Sequence, residues 1–331
     1  MSGAVSSYAM IEALREFFLR TPSALLWGLA GVLGLLALGA AATAVLPRFQ
    51  PGKDFADLKA RVASWWVMAI LLGATLLLGW GAVTLLFLAV SFVALREFLS
   101  LAPTRREDRL VLLLAYAAVP LSYATIAAND YILFLLFIPV WCFLTFPFLM
   151  AVAGQTRGYL STVASIQWGL VTCVYNLGYV AMLMRTPASE TPQAGAAGMV
   201  FFLLLTTEAN DVAQYVCGKL LGRRKILPTV SPNKTWEGFL GGWAITAAMI
   251  WLLGPLFTPL KGMGLATAAL ALPVAGFAGD VTMSAIKRDL GVKDTSRLIP
   301  GHGGLLDRAD SLTFTAPVYF HILAYFALVS F

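Results

Sequence analysis

Apolar runs long enough to cross a bilayer recur from Ser23 to the end of the chain. A hydrocarbon core about 30 Å thick takes roughly twenty apolar residues in a helix. Every backbone polar group inside that core must be satisfied within the protein. Charged residues make up 12% of the sequence, against about 25% in an ordinary soluble domain. These observations predict an all-α, polytopic integral membrane protein with about ten transmembrane helices and charged cytoplasmic loops. The spans are read at roughly 23–46, 65–78, 80–95, 110–128, 131–153, 159–184, 198–218, 239–257, 264–283 and 311–330. The second and third are short and share a Gly79–Gly81 turn, so 65–95 is either two full spans or a re-entrant hairpin. A cleaved signal peptide is not expected, because no small-residue cleavage site follows the first apolar run. Cys142, Cys173 and Cys217 all fall inside apolar runs and read as packing residues.

Charge predicts the orientation. Loops near 47–64, 96–109, 154–158, 219–238 and 284–310 alternate onto one side of the expected bundle and hold nineteen of the twenty-three Lys and Arg residues. The positive-inside rule assigns that side to the cytoplasm and both termini to the other. Pro47 to Ala63 mixes Phe49, Phe55, Leu58 and Val62 with charges, which fits either an interfacial helix or a solvated connector. Residues 185–197 read as an exposed loop. The chain divides into an N-terminal membrane region, 1–109, and a larger membrane domain, 110–331. The net charge of +6 follows the basic loops, and no nucleic-acid-binding pattern is present.

The charged residues are concentrated. Between Ser284 and Asp310 stand Lys287, Arg288, Lys293, Arg297 and Arg308 beside Asp289, Asp294, Asp307 and Asp310, with His302 in a Gly301–Gly304 turn. Ionisable groups at a membrane are costly to keep and mark candidate functional sites. Asp280, Ser284 and Lys287 share one face of a helix, as do Asp307 and Asp310. Asp280, Asp307 and Asp310 would make a hard-oxygen site suited to Mg²⁺ completed by phosphate and water. Alternatively they pair with local Lys and Arg or cap a helix. The glycine turn could offer backbone N–H groups to a phosphate. A second cluster, Gly222 to Gly242, carries Arg223, Arg224, Lys225, Lys234 and the polar run Ser231–Thr235. A third, Glu208, Asn210 and Asp211, falls inside the seventh run and suits a site facing the bundle interior. Glu97, at the end of the third span, is either a fourth acid of the site or an ordinary helix-terminal residue.

The run Ser284-x-x-Lys287-Arg288-x4-Lys293-Asp294-x-Ser296-x2-Ile299-Pro300-x-His302-Gly303-Gly304-x-x-Asp307-Arg308-x-Asp310 resembles the signature of phosphatidate cytidylyltransferases. The upstream Asn210-Asp211, Tyr215, Gly218, Gly222, Lys225 and Ser231-Pro232-Asn233-Lys234-Thr235-x-Glu237-Gly238 resemble that family too. The specific motifs cover about 205–311. The resemblance implies transfer of a cytidylyl group from CTP to phosphatidate, giving CDP-diacylglycerol and pyrophosphate. It implies Mg²⁺ with K⁺ as a candidate second cation, and Asp280, Asp307 and Asp310 as metal ligands. Ser284, Lys287, Arg288 and His302 would surround the phosphates, with Arg308 among the catalytic residues. Asn210, Asp211, Ser231, Asn233, Lys234, Thr235, Lys293, Gly303 and Gly304 are the expected substrate contacts. CTP, a lipid phosphate and the bilayer are the expected partners, with a bacterial inner (plasma) membrane location. A homodimer is compatible with the sequence.

Two positions depart from the pattern. Ala309 replaces a larger residue or Thr, and Gln214 stands where a small residue is usual. They leave open a relative that acts on another lipid phosphate. The competing expectations are a polyprenol kinase-like enzyme releasing CDP and a non-catalytic membrane transporter.

Overall fold

The computed structural model describes residues 21–49, 55–103, 105–154, 156–301 and 303–328. Nine helices among the described residues are long and apolar enough to cross a membrane. They are α1 (Ser23–Phe49), α2 (Ala56–Leu78), α3 (Trp80–Leu101), α4 (Arg109–Ala127), α5 (Tyr131–Val152), α6 (Tyr159–Leu183), α7 (Gly195–Leu221), α8 (Trp236–Phe257) and α9 (Gly262–Asp289). A two-stranded antiparallel hairpin, β1 (Lys225–Leu227) with β2 (Ser231–Thr235), joins α7 to α8. The single turn α10 (Leu306–Ala309) leads into α11 (Leu312–Phe326). The expected all-α membrane architecture is present.

Three boundaries differ from expectation. Among the described residues, 47–64 forms no separate interfacial helix. Pro47–Phe49 close α1, and Ala56 onward already belongs to α2. No proline interrupts 56–78, so the charged segment simply propagates into the apolar one. As a result α2 and α3, at 23 and 22 residues, are both full-length and exclude the re-entrant hairpin. Gly79 alone turns the chain between them, at φ 96°, a conformation side chains other than glycine rarely adopt. The last helix, α11, has 15 residues and falls short of the expected 311–330 span.

The core centres on α6, whose most apolar stretch is 72% buried, against 11% for α1. Helices α5 and α6 each contain a widened π turn, at Phe137–Cys142 and Val171–Tyr175. Pro139 lies in the first, where its missing N–H breaks the regular ladder. Gln167 Nε2 from α6 donates to the Ile138 carbonyl at 3.3 Å. Packing gathers the charged connections together. Thr162 Oγ1 donates to Asp108, Ser64 Oγ to the Pro300 carbonyl, and Arg288 Nε to the Val230 carbonyl. At the other end of α3, the Arg185 guanidinium lies 4.2 Å from the Trp80 ring centroid, and its Nε donates to Asn129 Oδ1.

Candidate active site

The loop between α9 and α10 is built around two buried carboxylates. Glu97, near the end of α3, accepts Ser296 Oγ (2.6 Å) and the Leu305 amide (3.0 Å) on Oε1. Its Oε2 accepts the Leu306 amide (2.8 Å) and Thr295 Oγ1 (3.2 Å). Asp307 Oδ2 accepts the Thr295 amide (2.7 Å), Thr295 Oγ1 (3.0 Å) and the Gly304 amide (2.9 Å). Its Oδ1 forms an ion pair with Lys287 Nζ at 2.8 Å. Burial alone would push the Asp307 carboxyl up. The Lys287 hydrogen bond and charge, then the two amides, outweigh burial and hold it below its ordinary value.

In this arrangement several of the expected site residues meet protein partners. Asp307, expected on a metal, has both oxygens taken up by protein donors, and Lys287, expected on a phosphate, is its partner. The Gly304 amide, expected in a phosphate cradle, serves Asp307. A side chain at 304 would also meet Glu97 Oε2 at 2.6 Å, so glycine there lets the loop close on the carboxylate. His302 lies outside the described residues. Glu97 itself, the helix-terminal acid, is the anchor of the loop.

The remaining acids converge elsewhere. Asp280 Oδ2 pairs with Lys234 Nζ at 2.6 Å, and its Oδ1 accepts Ser284 Oγ at 3.2 Å. Lys234 also lies 4.8 Å from the Phe277 ring centroid. Asp310 is buried, its Oδ1 held by the Ser311 amide at 2.8 Å. Asp211, Asp280 and Asp310 are close enough to act on one another electrostatically, and Lys287 acts on Asp310. Asp211 Oδ1 and Ser311 Oγ, neighbours short of hydrogen-bond geometry, are both buried without a partner. Among the described residues no three His, Cys, Asp or Glu side chains stand close enough to hold a metal ion by themselves. An excess of carboxylates around an unpartnered buried oxygen still suits a hard cation that takes few protein ligands and leaves the rest to phosphate and water. Asp211 thus stands with Asp280 and Asp310 among the acids at this end of the bundle.

The other expected contact residues fall in several settings. Asn210 is buried and links three helices: its Nδ2 donates to the Pro273 carbonyl at 3.2 Å, and its Oδ1 accepts Thr246 Oγ1 at 3.3 Å. Thr235 caps α8 by accepting the Gly238 amide at 3.1 Å. Ser231 and Asn233 lie on β2, the second exposed. Glu237 gathers the Arg223 and Arg224 amides at 2.9 and 3.2 Å. Gln214 is buried against Gly242 of α8, so it fills a helix interface. Arg288, Lys293 and Arg308 are exposed, and Gly303 accepts the Ile299 amide at 2.8 Å.

The cytidylyltransferase family pattern matches residues 59–326. The chain belongs to that family. It is 42% identical over 298 residues to a protein of Escherichia coli K12 named "Uncharacterized protein YnbB", covering 90% of this chain and 97% of that protein. A phosphatidate cytidylyltransferase of Bacillus subtilis is 41% identical over 131 residues, which is 39% of this chain and 48% of the relative. One from Mycobacterium bovis is 38% identical over 165 residues, 48% of this chain and 50% of the relative. The named phosphatidate enzymes are thus matched over about half of their length. A membrane-embedded nucleotidyltransferase is the activity class these matches establish.

Proposed function

We propose that the protein transfers the cytidylyl group of CTP to phosphatidate, releasing pyrophosphate and forming CDP-diacylglycerol at the cytoplasmic face of a bacterial inner membrane. The observation that carries this reading is the meeting of Asp211, Asp280 and Asp310 with Lys234, Lys287 and Ser284 at the basic end of the bundle. An oxygen of the lipid phosphate attacks the α-phosphorus of CTP, a new P–O bond forms, and the α–β bridging bond breaks. A phosphate monoester is largely ionised at neutral pH, so no strong general base is needed. The chain's task is in-line placement and charge neutralisation. Lys234 is positioned beside the acids to meet a phosphate, while Arg288 is exposed to receive the departing pyrophosphate. Mg²⁺ held by one or two of these acids, with phosphate and water completing its shell, would neutralise charge on the reacting phosphates.

A second reading, transfer to a different lipid phosphate, is favoured by one observation: YnbB is matched along nearly its whole length, while the phosphatidate enzymes named above are matched over about half of theirs. Purified protein incubated with α-labelled CTP, Mg²⁺ and a panel of lipid phosphates decides. A labelled CDP-diacylglycerol with pyrophosphate supports the first reading, and a different liponucleotide supports the second. Release of CDP with a phosphorylated lipid would refute both.

A further inference from the structure

A cavity of about 790 Å³ opens between α2 and the loop that follows α9. Leu58, Arg61, Val62 and Trp65 line one side, at the i, i+3, i+4, i+7 spacing of a single helix face. Lys293, Arg297 and Arg308 line the other, with Asp294 the one acid among the lining residues. The loop is fastened to α2 by the Ser64 hydroxyl on the Pro300 carbonyl at 3.0 Å. Gly301 lets the turn sit against Arg61, whose Cγ an added side chain would meet at 3.1 Å.

We propose that this cavity seats the phosphate-bearing head of the lipid acceptor, with Arg61, Lys293, Arg297 and Arg308 around the phosphate and the chains leaving along Leu58, Val62 and Trp65. The proposal rests on the lipid-phosphate reading above and names where that substrate sits. Three features favour an amphiphile. The apolar stretch of α2 begins at Leu58, so the apolar wall occupies the first turns of a span, where chain meets head group. Trp65 is partly exposed there, the residue type that favours the membrane interface. Four cations against one carboxylate suit a multiply charged phosphate. The cavity also approaches two further acids. Gly303 on its wall lies against Asp307, and Arg308 is close enough to Glu208 of α7 to act on it electrostatically.

Two measurements test this. In the first, Trp65→p-benzoylphenylalanine is irradiated in vesicles carrying labelled phosphatidate or labelled phosphatidylcholine. Val67, exposed on another face of α2, serves as the control position. Expected is preferential labelling by phosphatidate at position 65, none at 67, and competition by unlabelled phosphatidate but not by CTP. Equal labelling by both lipids at 65, or displacement by CTP, would overturn the proposal. The second is kinetic. Arg61→Gln should raise the KM for phosphatidate about tenfold, the weight of one charge-assisted contact, with kcat and the KM for CTP within about twofold. Arg61→Lys should recover part of the loss. A change in the KM for CTP alone would assign the cavity to the nucleotide and sink the idea. Wild-type protein that makes no liponucleotide refutes the proposed function, and the photolabelling, which needs no turnover, then decides the cavity separately.

Discussion

Glu97 holds four donors from a loop some two hundred residues further along the chain. Glu97→Gln keeps the shape but turns one acceptor oxygen into a donor, which leaves buried groups facing each other unsatisfied. The expected cost is about 2–3 kcal/mol of stability, read as a lowered Tm in detergent, with kcat reduced at least about tenfold. Glu97→Asp should restore part of kcat. Unchanged kcat in the Gln variant would show that the loop does not depend on this carboxylate. The sequence made the acids conspicuous because charges are rare in apolar runs. It could not say which acids pair, because Glu97 and Leu305 are 208 residues apart and no local spacing connects them. The partners of Asp307 were hidden for the same reason: its donors Thr295 and Lys287 meet it only when the loop folds back. Gln214 yields an opposite expectation. Its side chain meets Gly242 rather than a substrate cavity. Gln214→Ala should therefore leave lipid and CTP titrations superimposable on wild type, and a shifted lipid curve alone would place this residue at the lipid site.

Between elements, α7 and α8 cross closely beside the site. A side chain on Gly238 would meet Gly218 Cα at 2.8 Å and the Gln214 carbonyl at 2.9 Å. Both are backbone atoms, so the helices would have to separate, as small residues at membrane helix crossings otherwise avoid. Gly238→Ala is expected to cost about 1–3 kcal/mol and, by displacing the Thr235 cap and the hairpin with Lys234, to lower turnover more than a stability loss alone explains. A thermal-shift series with activity measured well below each Tm checks this, and full activity at low temperature would show that the crossing is not transmitted to the site. Most helices were legible as apolar runs. The start of α2 was not, since Lys59 and Arg61 break the hydropathy while leaving helix formation intact. The hairpin was read only as a polar turn, because five residues such as Ser231–Thr235 carry too little alternation to announce a strand.

Across the whole molecule, the basic connections are drawn to one end and the Trp80, Asn129 and Arg185 cluster to the other. If the first end faces the cytoplasm, Ser189→Cys should react in intact cells with a membrane-impermeant thiol reagent and Thr229→Cys should not. The native cysteines are buried and should contribute little background. The reverse labelling would invert the orientation. The clamp on Glu97 also bears on heredity and engineering. The charged signature resides in the last third of the chain, which invites treating that portion as a portable cassette and the preceding helices as an interchangeable anchor. A cut at 109/110 would strand the loop from the carboxylate that shapes it. Swapped or shortened versions of this gene would then inherit every signature residue and still lack a properly formed loop, so such chimeras should keep the third helix with the cassette.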